Sequence, residues 1–206
     1  MIPVKEQPEP ENFEKFVRQP GKKFLEEVPN PTKKQWDYHS YWTKYLIQMR
    51  AAYKAICAYS AHWISPDTGA ATIDHFISKS KQPSLAYDWS NYRYTASRYN
   101  SRKLTKSILD PFHLEANWFL LDFPSLQIKP NAELLPEQRQ SVNDTIEVLK
   151  LNEEISLEAR QIWVMDYCEE KILFEYLEEK APFIAYELKR QDLIYLIKKM
   201  MRKPIL

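Results

Sequence analysis

The chain has 206 residues, 44% of them hydrophobic and 14% aromatic, and its 29 basic and 28 acidic side chains leave a formal net charge of +1. That is enough apolar material for one compact core, and no run approaches the roughly 20 apolar residues of a membrane-spanning helix. Two glycines against fourteen prolines argue against glycine-rich phosphate loops, whose backbone positions only glycine can occupy, so an ATP or NAD site is not expected.

Residues 1–35 carry six prolines and many charges, a composition that favours an extended arm. They include no apolar signal core, and the two cysteines, Cys57 and Cys168, make neither a disulfide framework nor a complete zinc site. A reduced, cytoplasmic setting is the expectation. Residues 36–56 have no helix breaker, and Tyr38, Tyr41, Trp42, Tyr45, Met49 and Tyr53 recur at helical spacing; this predicts one helix with an aromatic, core-facing side.

Next, residues 57–76 read as two short strands around a turn at Pro66, Asp67 and Gly69. A polar loop spans 77–92, and Thr95 is the expected cap of a helix running to about Ser107. An irregular aromatic segment reaches Pro136. Helices are then expected at about 136–150, 156–180 and 183–202, with Pro182 parting the last two, and Met165, Cys168, Ile172 and Tyr176 forming a core stripe. The chain is read as one globular unit in three parts: an arm (1–35), a central core with its preceding helix (36–112) and a helical C-terminal region (113–206).

The charge is unevenly placed. Between His75 and Ser107 there are seven basic residues and one acid, whereas 132–180 holds thirteen acids and five bases. A basic cluster beside acidic surroundings suits a polyanion site. His75, Asn91 and Asn100 lie within the basic stretch, and Asp74 directly precedes it. Phosphodiester hydrolysis needs a base for the attacking water and positive charge for the phosphoryl and leaving oxygens. His75 supplies the first, and Asp74 with Asn100 supplies oxygen ligands for a hard cation such as Mg²⁺ or Mn²⁺. Neighbours on a regular strand face opposite ways, so Asp74 and His75 are expected where the strand ends and bends. Asn91 can bond backbone on both sides of the loop that aims the imidazole. Arg98, Arg102, Lys103 and Lys106 are candidate phosphate contacts, Lys103 because it shares a helix face with Asn100.

The pattern "IDHF…YDWSNYR…NSRK…LDPF" within residues 57–112 resembles the HNH endonucleases. The resemblance implies an α+β, mostly helical chain built around a ββα-metal core. It makes Asp74 and Asn100 metal ligands, His75 the general base and Asn91 the brace, although the family often has histidine where Asn100 stands. More loosely, the layout resembles the small HNH subunits of Septu-type and retron-associated anti-phage systems. That likeness implies a nuclease, DNA favoured, acting with an ATPase partner.

Many HNH proteins also hold a structural zinc. The corresponding positions here are Cys57, Ser60, Ala96 and Tyr99, so packing is expected in place of zinc. Ser78 stands where the family usually has proline. His39 and His62 are expected to be structural or exposed, His113 to pack, and Asp110 to cap or bond the core. The same residues leave two alternatives: an RNA substrate such as tRNA, or a fold kept for binding without turnover.

Overall fold

A computed structural model describes residues 1–200. Two antiparallel two-stranded sheets sit among short helices, so the fold is α+β with helix predominating. No helix among the described residues is long and apolar enough to cross a membrane.

Residues 1–35 are not an extended arm throughout. A π-helical turn at Glu14–Arg18 leads into helix α1 (Gln19–Glu27). Pro20 lies at the second position of α1, directly after the wider π register, within one continuous helical run. Phe13, Val17 and Phe24 are buried, so this segment contributes core. Gly21 packs so tightly that an added Cβ would come within 2.2 Å of the Tyr87 ring.

The expected helix over 36–56 is divided into three. Helix α2 (Lys33–Tyr38) carries a Thr32–Gln35 capping box, a 3₁₀ turn covers Tyr41–Tyr45, and helix α3 is Leu46–Ala52. The break has a local cause: Ser40 Oγ donates to Asp37 O at 3.0 Å and Thr43 Oγ1 to Ser40 O at 2.8 Å. Such side-chain bonds offer the backbone an alternative to the helical ladder. Trp42, Tyr45, Met49 and Tyr53 are buried as expected, Trp36 is buried beside them, and Tyr38 faces solvent.

Of the expected hairpin, the second strand forms but takes a different partner. Ile56 and Trp63 make only an isolated bridge. Strand β1 (Ala71–His75) pairs instead with β2 (Tyr92–Ala96), in a register running from Ala71 opposite Ala96 to His75 opposite Tyr92. Thr95 is therefore a strand residue and not a cap; helix α4 (Ser97–Lys103) starts directly after β2 and packs on both strands. Alternating Tyr92, Tyr94 and Ala96 is a strand signal that the neighbouring polar loop obscured. The connection between β1 and β2 holds 3₁₀ turns at Pro83–Leu85 and Trp89–Asn91.

The segment before Pro136 contains a second hairpin, β3 (Phe119–Asp122) with β4 (Gln127–Pro130). Helices α5 (Pro136–Leu149), α6 (Glu154–Cys168), α7 (Phe174–Lys180), α8 (Pro182–Arg190) and α9 (Ile197–Met200) follow. Both later expected helices are thus interrupted, at 169–173 and 191–196, and the expected end of the last at 202 lies outside the described residues. Cys168 is buried, but Tyr176 is exposed; Val164, Tyr167 and Leu177 fill the core nearby.

Candidate active site

β1 ends at His75, and a cavity of about 510 Å³ is bordered there by Asp74, His75, Lys79, Asn100, Leu104 and Trp42. The strand's end lets two neighbouring side chains border one space, which a continuing pleat would place on opposite faces. The backbone then bends at residues 76–77, while Phe76 N–H still donates to Asn91 O at 2.8 Å in continuation of the β1–β2 register.

His75 is boxed by aromatic rings. Trp42 meets its imidazole edge-on at 4.6 Å and Tyr92 at 5.2 Å between centroids. Its Nε2 lies 2.9 Å from Ala86 O. A carbonyl only accepts, so this bond assigns the proton to Nε2 and leaves a lone pair on Nδ1, which has no protein partner among the described residues. Burial, and then the nearby Lys79 and Lys103 charges, lower its pKa to about 3. The imidazole is neutral at physiological pH.

Asp74 is also buried. Tyr59 donates its hydroxyl to Oδ2, and Lys103 Nζ lies 3.1 Å from Oδ2 and 3.3 Å from Oδ1. Burial raises the carboxyl pKa, against the lowering influence of Lys103, Tyr59 and Arg93. Lys103 is itself 1% exposed and donates to His75 O at 2.8 Å. This corrects the sequence expectation: Lys103 faces the protein's own carboxylate and not a substrate phosphate.

Asn91 sits where a brace is useful. Its carboxamide accepts from Ile77 N–H at 2.7 Å and donates to Ile77 O and Leu85 O at 3.0 Å each, tying both ends of the loop over His75. Asn100, half-buried on α4, also borders the cavity. Helix α4 stops at Leu104, whose backbone takes φ 48° and ψ −113°.

No protein-family model and no curated protein matches this chain. The chemistry of the site therefore rests on its own residues. Asp74 and Asn100 offer hard oxygen donors to the cavity, the chemistry that suits Mg²⁺ or Mn²⁺ retaining several waters. Among the described residues, no three His, Cys, Asp or Glu side chains converge in a metal-ligating group. The donor types fit a hard cation. Their charge is already met by Lys103.

The other basic candidates separate by burial. Arg102 is turned towards the C-terminal helices, pairing with Glu153 and donating to Leu149 O at 3.0 Å, so it fastens α4 to α5 and α6. Arg98 is half exposed, 3.9 Å from Glu153. Lys106 is exposed. Lys79, counted in the basic stretch but not singled out, is better placed: it borders the cavity, with Nζ 4.8 Å from the Trp42 ring and 5.8 Å from Trp36. Burial lowers its pKa. No spacing rule in the sequence connects Lys79 to Trp36 and Trp42.

The positions at which the HNH resemblance would put zinc ligands lie close to one another. Cys57 Sγ is 3.2 Å from Thr95 Oγ1 and 3.5 Å from Ser60 N, and Ser60, Ala96 and Tyr99 border one surface depression. Cys57 and Tyr99 are buried in the core cluster. His39 stacks on Phe24 at 3.7 Å, and His62 has its Nε2 sealed from solvent without a partner among the described residues. His113 does not pack. It is exposed, with Nδ1 3.1 Å from Asp110. Asp110 binds the core as expected, gripping Arg93 of β2 through Nε at 2.8 Å and a terminal nitrogen at 2.5 Å.

Proposed function

We propose that the protein hydrolyses nucleic-acid phosphodiesters at the Asp74–His75–Asn100 cavity, in the manner of an HNH endonuclease. The observation that carries this reading is the fixed tautomer of His75, whose Nε2 is engaged by Ala86 O at 2.9 Å and whose Nδ1 is left to accept a proton. A positioned base poised near the operating pH contributes roughly 10² to 10⁴ in rate, and the burial that lowers this imidazole to about 3 sets it below that optimum. The order β1, loop, β2, α4, with Asp74 and His75 ending the first strand and Asn100 on the helix, supports a ββα-metal unit.

Within this reading, Asn91 aims the imidazole through the loop, and Lys79 offers its ammonium to a phosphate oxygen. Asp74 and Asn100 would hold one Mg²⁺ or Mn²⁺, which when bound supplies positive charge for the phosphoryl and leaving oxygens. Backbone-directed contacts carry little sequence information. DNA is the favoured substrate and RNA the alternative. An ATPase partner and an anti-phage role rest only on the likeness to Septu-type and retron-associated subunits.

The Asp74–Lys103 pair favours a second reading, an interaction module that keeps the fold without turnover. Incubating the purified chain, alone and with the protein encoded beside it, with plasmid, single-stranded DNA and RNA under Mg²⁺, Mn²⁺ or EDTA separates the two. Metal-dependent cleavage falling by a factor of roughly 10² or more in His75→Ala is the expected result. Cleavage that persists unchanged in that variant removes the assignment.

A further inference from the structure

The ammonium of Lys103 has three hydrogens and three acceptors at hand: Asp74 Oδ1 at 3.3 Å, Asp74 Oδ2 at 3.1 Å and His75 O at 2.8 Å. Two of these contacts, to Oδ1 and to His75 O, are hydrogen bonds, and the contact to Oδ2 is an ion pair. Both partners are sealed, Asp74 at 3% and Lys103 at 1% exposure, so the pair is shielded little by solvent. Among the described residues, the second contact to the carboxylate is a neutral phenol, Tyr59. One negative charge on the cavity wall is thus matched by one positive charge from α4.

A divalent ion approaching Asp74 meets an occupied carboxylate. Lys103 stands three residues after Asn100, so the helix that brings one proposed ligand to the cavity also brings its competitor. Resting on the reading of Asp74 as a metal ligand, we propose that Lys103 is an internal cation that competes with the divalent ion for Asp74. The affinity of the site for metal is then set by how readily this ammonium leaves. Lysine suits the task, because its compact charge on a flexible stem moves without dismantling a planar fork.

Mn²⁺ binding to the full chain, measured by electron paramagnetic resonance without nucleic acid, tests this directly. Lys103→Met keeps the stem and removes the charge, and it is expected to bind Mn²⁺ at least roughly tenfold more tightly than the unmodified protein. Lys103→Arg retains the charge and is expected not to gain. Adding Asp74→Asn to Lys103→Met is expected to abolish the gain. Folded Lys103→Met that binds Mn²⁺ no more tightly than the unmodified protein overturns the proposal, as does the absence of binding in every variant. Should Lys103→Met fail to fold, the unmodified protein with ¹⁵N-labelled lysine side chains decides: saturating Mg²⁺ is expected to shift the Lys103 Nζ resonance, and an unmoved resonance overturns the proposal. Neither readout involves cleavage, so failure of the competition leaves His75-dependent hydrolysis standing, and failure of hydrolysis leaves the competition measurable.

Discussion

The side chain of Asn91 closes a two-bond ring on the backbone of Ile77, accepting from its N–H at 2.7 Å and donating to its carbonyl at 3.0 Å. With the third bond to Leu85 O, one carboxamide fixes a loop that joins the ends of β1 and β2. Asn91→Ala leaves those backbone groups without their partner. A loss of about 2–4 kcal/mol is expected from urea unfolding, since an orphaned buried group costs about 1–3 kcal/mol and the two groups on exposed Ile77 can turn to water at less cost. Catalysis is expected to fall by roughly 10², the effect of a misplacement on the order of 1 Å. Unfolding within about 0.5 kcal/mol of the unmodified protein, with an unchanged cleavage rate, contradicts the bracing role.

Arg93 is the most heavily committed cation of the core. Besides Asp110, it donates to Ser90 O at 2.7 Å and Tyr92 O at 2.9 Å, and its guanidinium lies 3.5 Å from the Phe112 ring centroid. Asp110→Ala removes the carboxylate and leaves a buried guanidinium uncompensated. The expected cost is about 3–5 kcal/mol, a fall in Tm of roughly 10 °C for a chain of this size. Arg93→Lys is expected to be damaging too, because an ammonium cannot reproduce the fork. Differential scanning calorimetry checks both; a Tm within about 2 °C of the unmodified protein in Asp110→Ala refutes the brace.

Much of the candidate site was legible because its chemistry depends on residue type and order. Asp74, His75 and Asn100 border one cavity, and Asn91 bonds backbone on both sides of its loop. The direction taken by long side chains was not legible. Lys103 and Arg102 sit on a basic helix by sequence, yet one is drawn inward by Asp74 and the other towards the C-terminal region by Glu153. Both partners are distant in sequence, and no local pattern records such a pairing. The same holds for β2: its identity comes from pairing with β1 across the intervening loop, whereas the local polar composition suggested loop and helix cap. At the N-terminus, proline content outweighed the apolar spacing of Phe13, Val17 and Phe24, whose burial stabilises a helix that composition alone disfavoured.

His62 and His75 make the fold sensitive to acid. Burial lowers each to about 3 from an ordinary value of 6.5. The unfolded chain therefore takes up protons between pH 6.5 and 3 that the folded chain refuses. Stability from these groups is complete above pH 6.5 and is lost as pH falls towards 3, with a slope of about 1.4 kcal/mol per pH unit for each histidine. Asp74 acts oppositely, because its raised pKa lets the folded state bind a proton first as pH falls. His62→Leu isolates one contribution away from the cavity. Its urea midpoints between pH 6.5 and 4 are expected to decline less steeply, by about one proton's worth of slope. Identical slopes for variant and unmodified protein exclude a buried neutral His62.

Lys79 and Arg102 are expected to separate when nucleic-acid binding is measured across salt concentrations. Lys79 borders the cavity over Trp42, whereas Arg102 is held by Glu153 and Leu149 O. Each phosphate neutralised by a lysine releases counterion and adds about one unit to the slope of log affinity against log salt. In a His75→Ala background with EDTA, which prevents cleavage, fluorescence anisotropy with a short oligonucleotide is expected to show Lys79→Ala binding more weakly with a slope about one unit shallower. Arg102→Ala is expected to retain the slope and to lower thermal stability, since its side chain joins α4 to the C-terminal helices. If Arg102→Ala flattens the salt dependence while Lys79→Ala leaves it unchanged, the polyanion path runs along the outer face of α4 and not through the cavity.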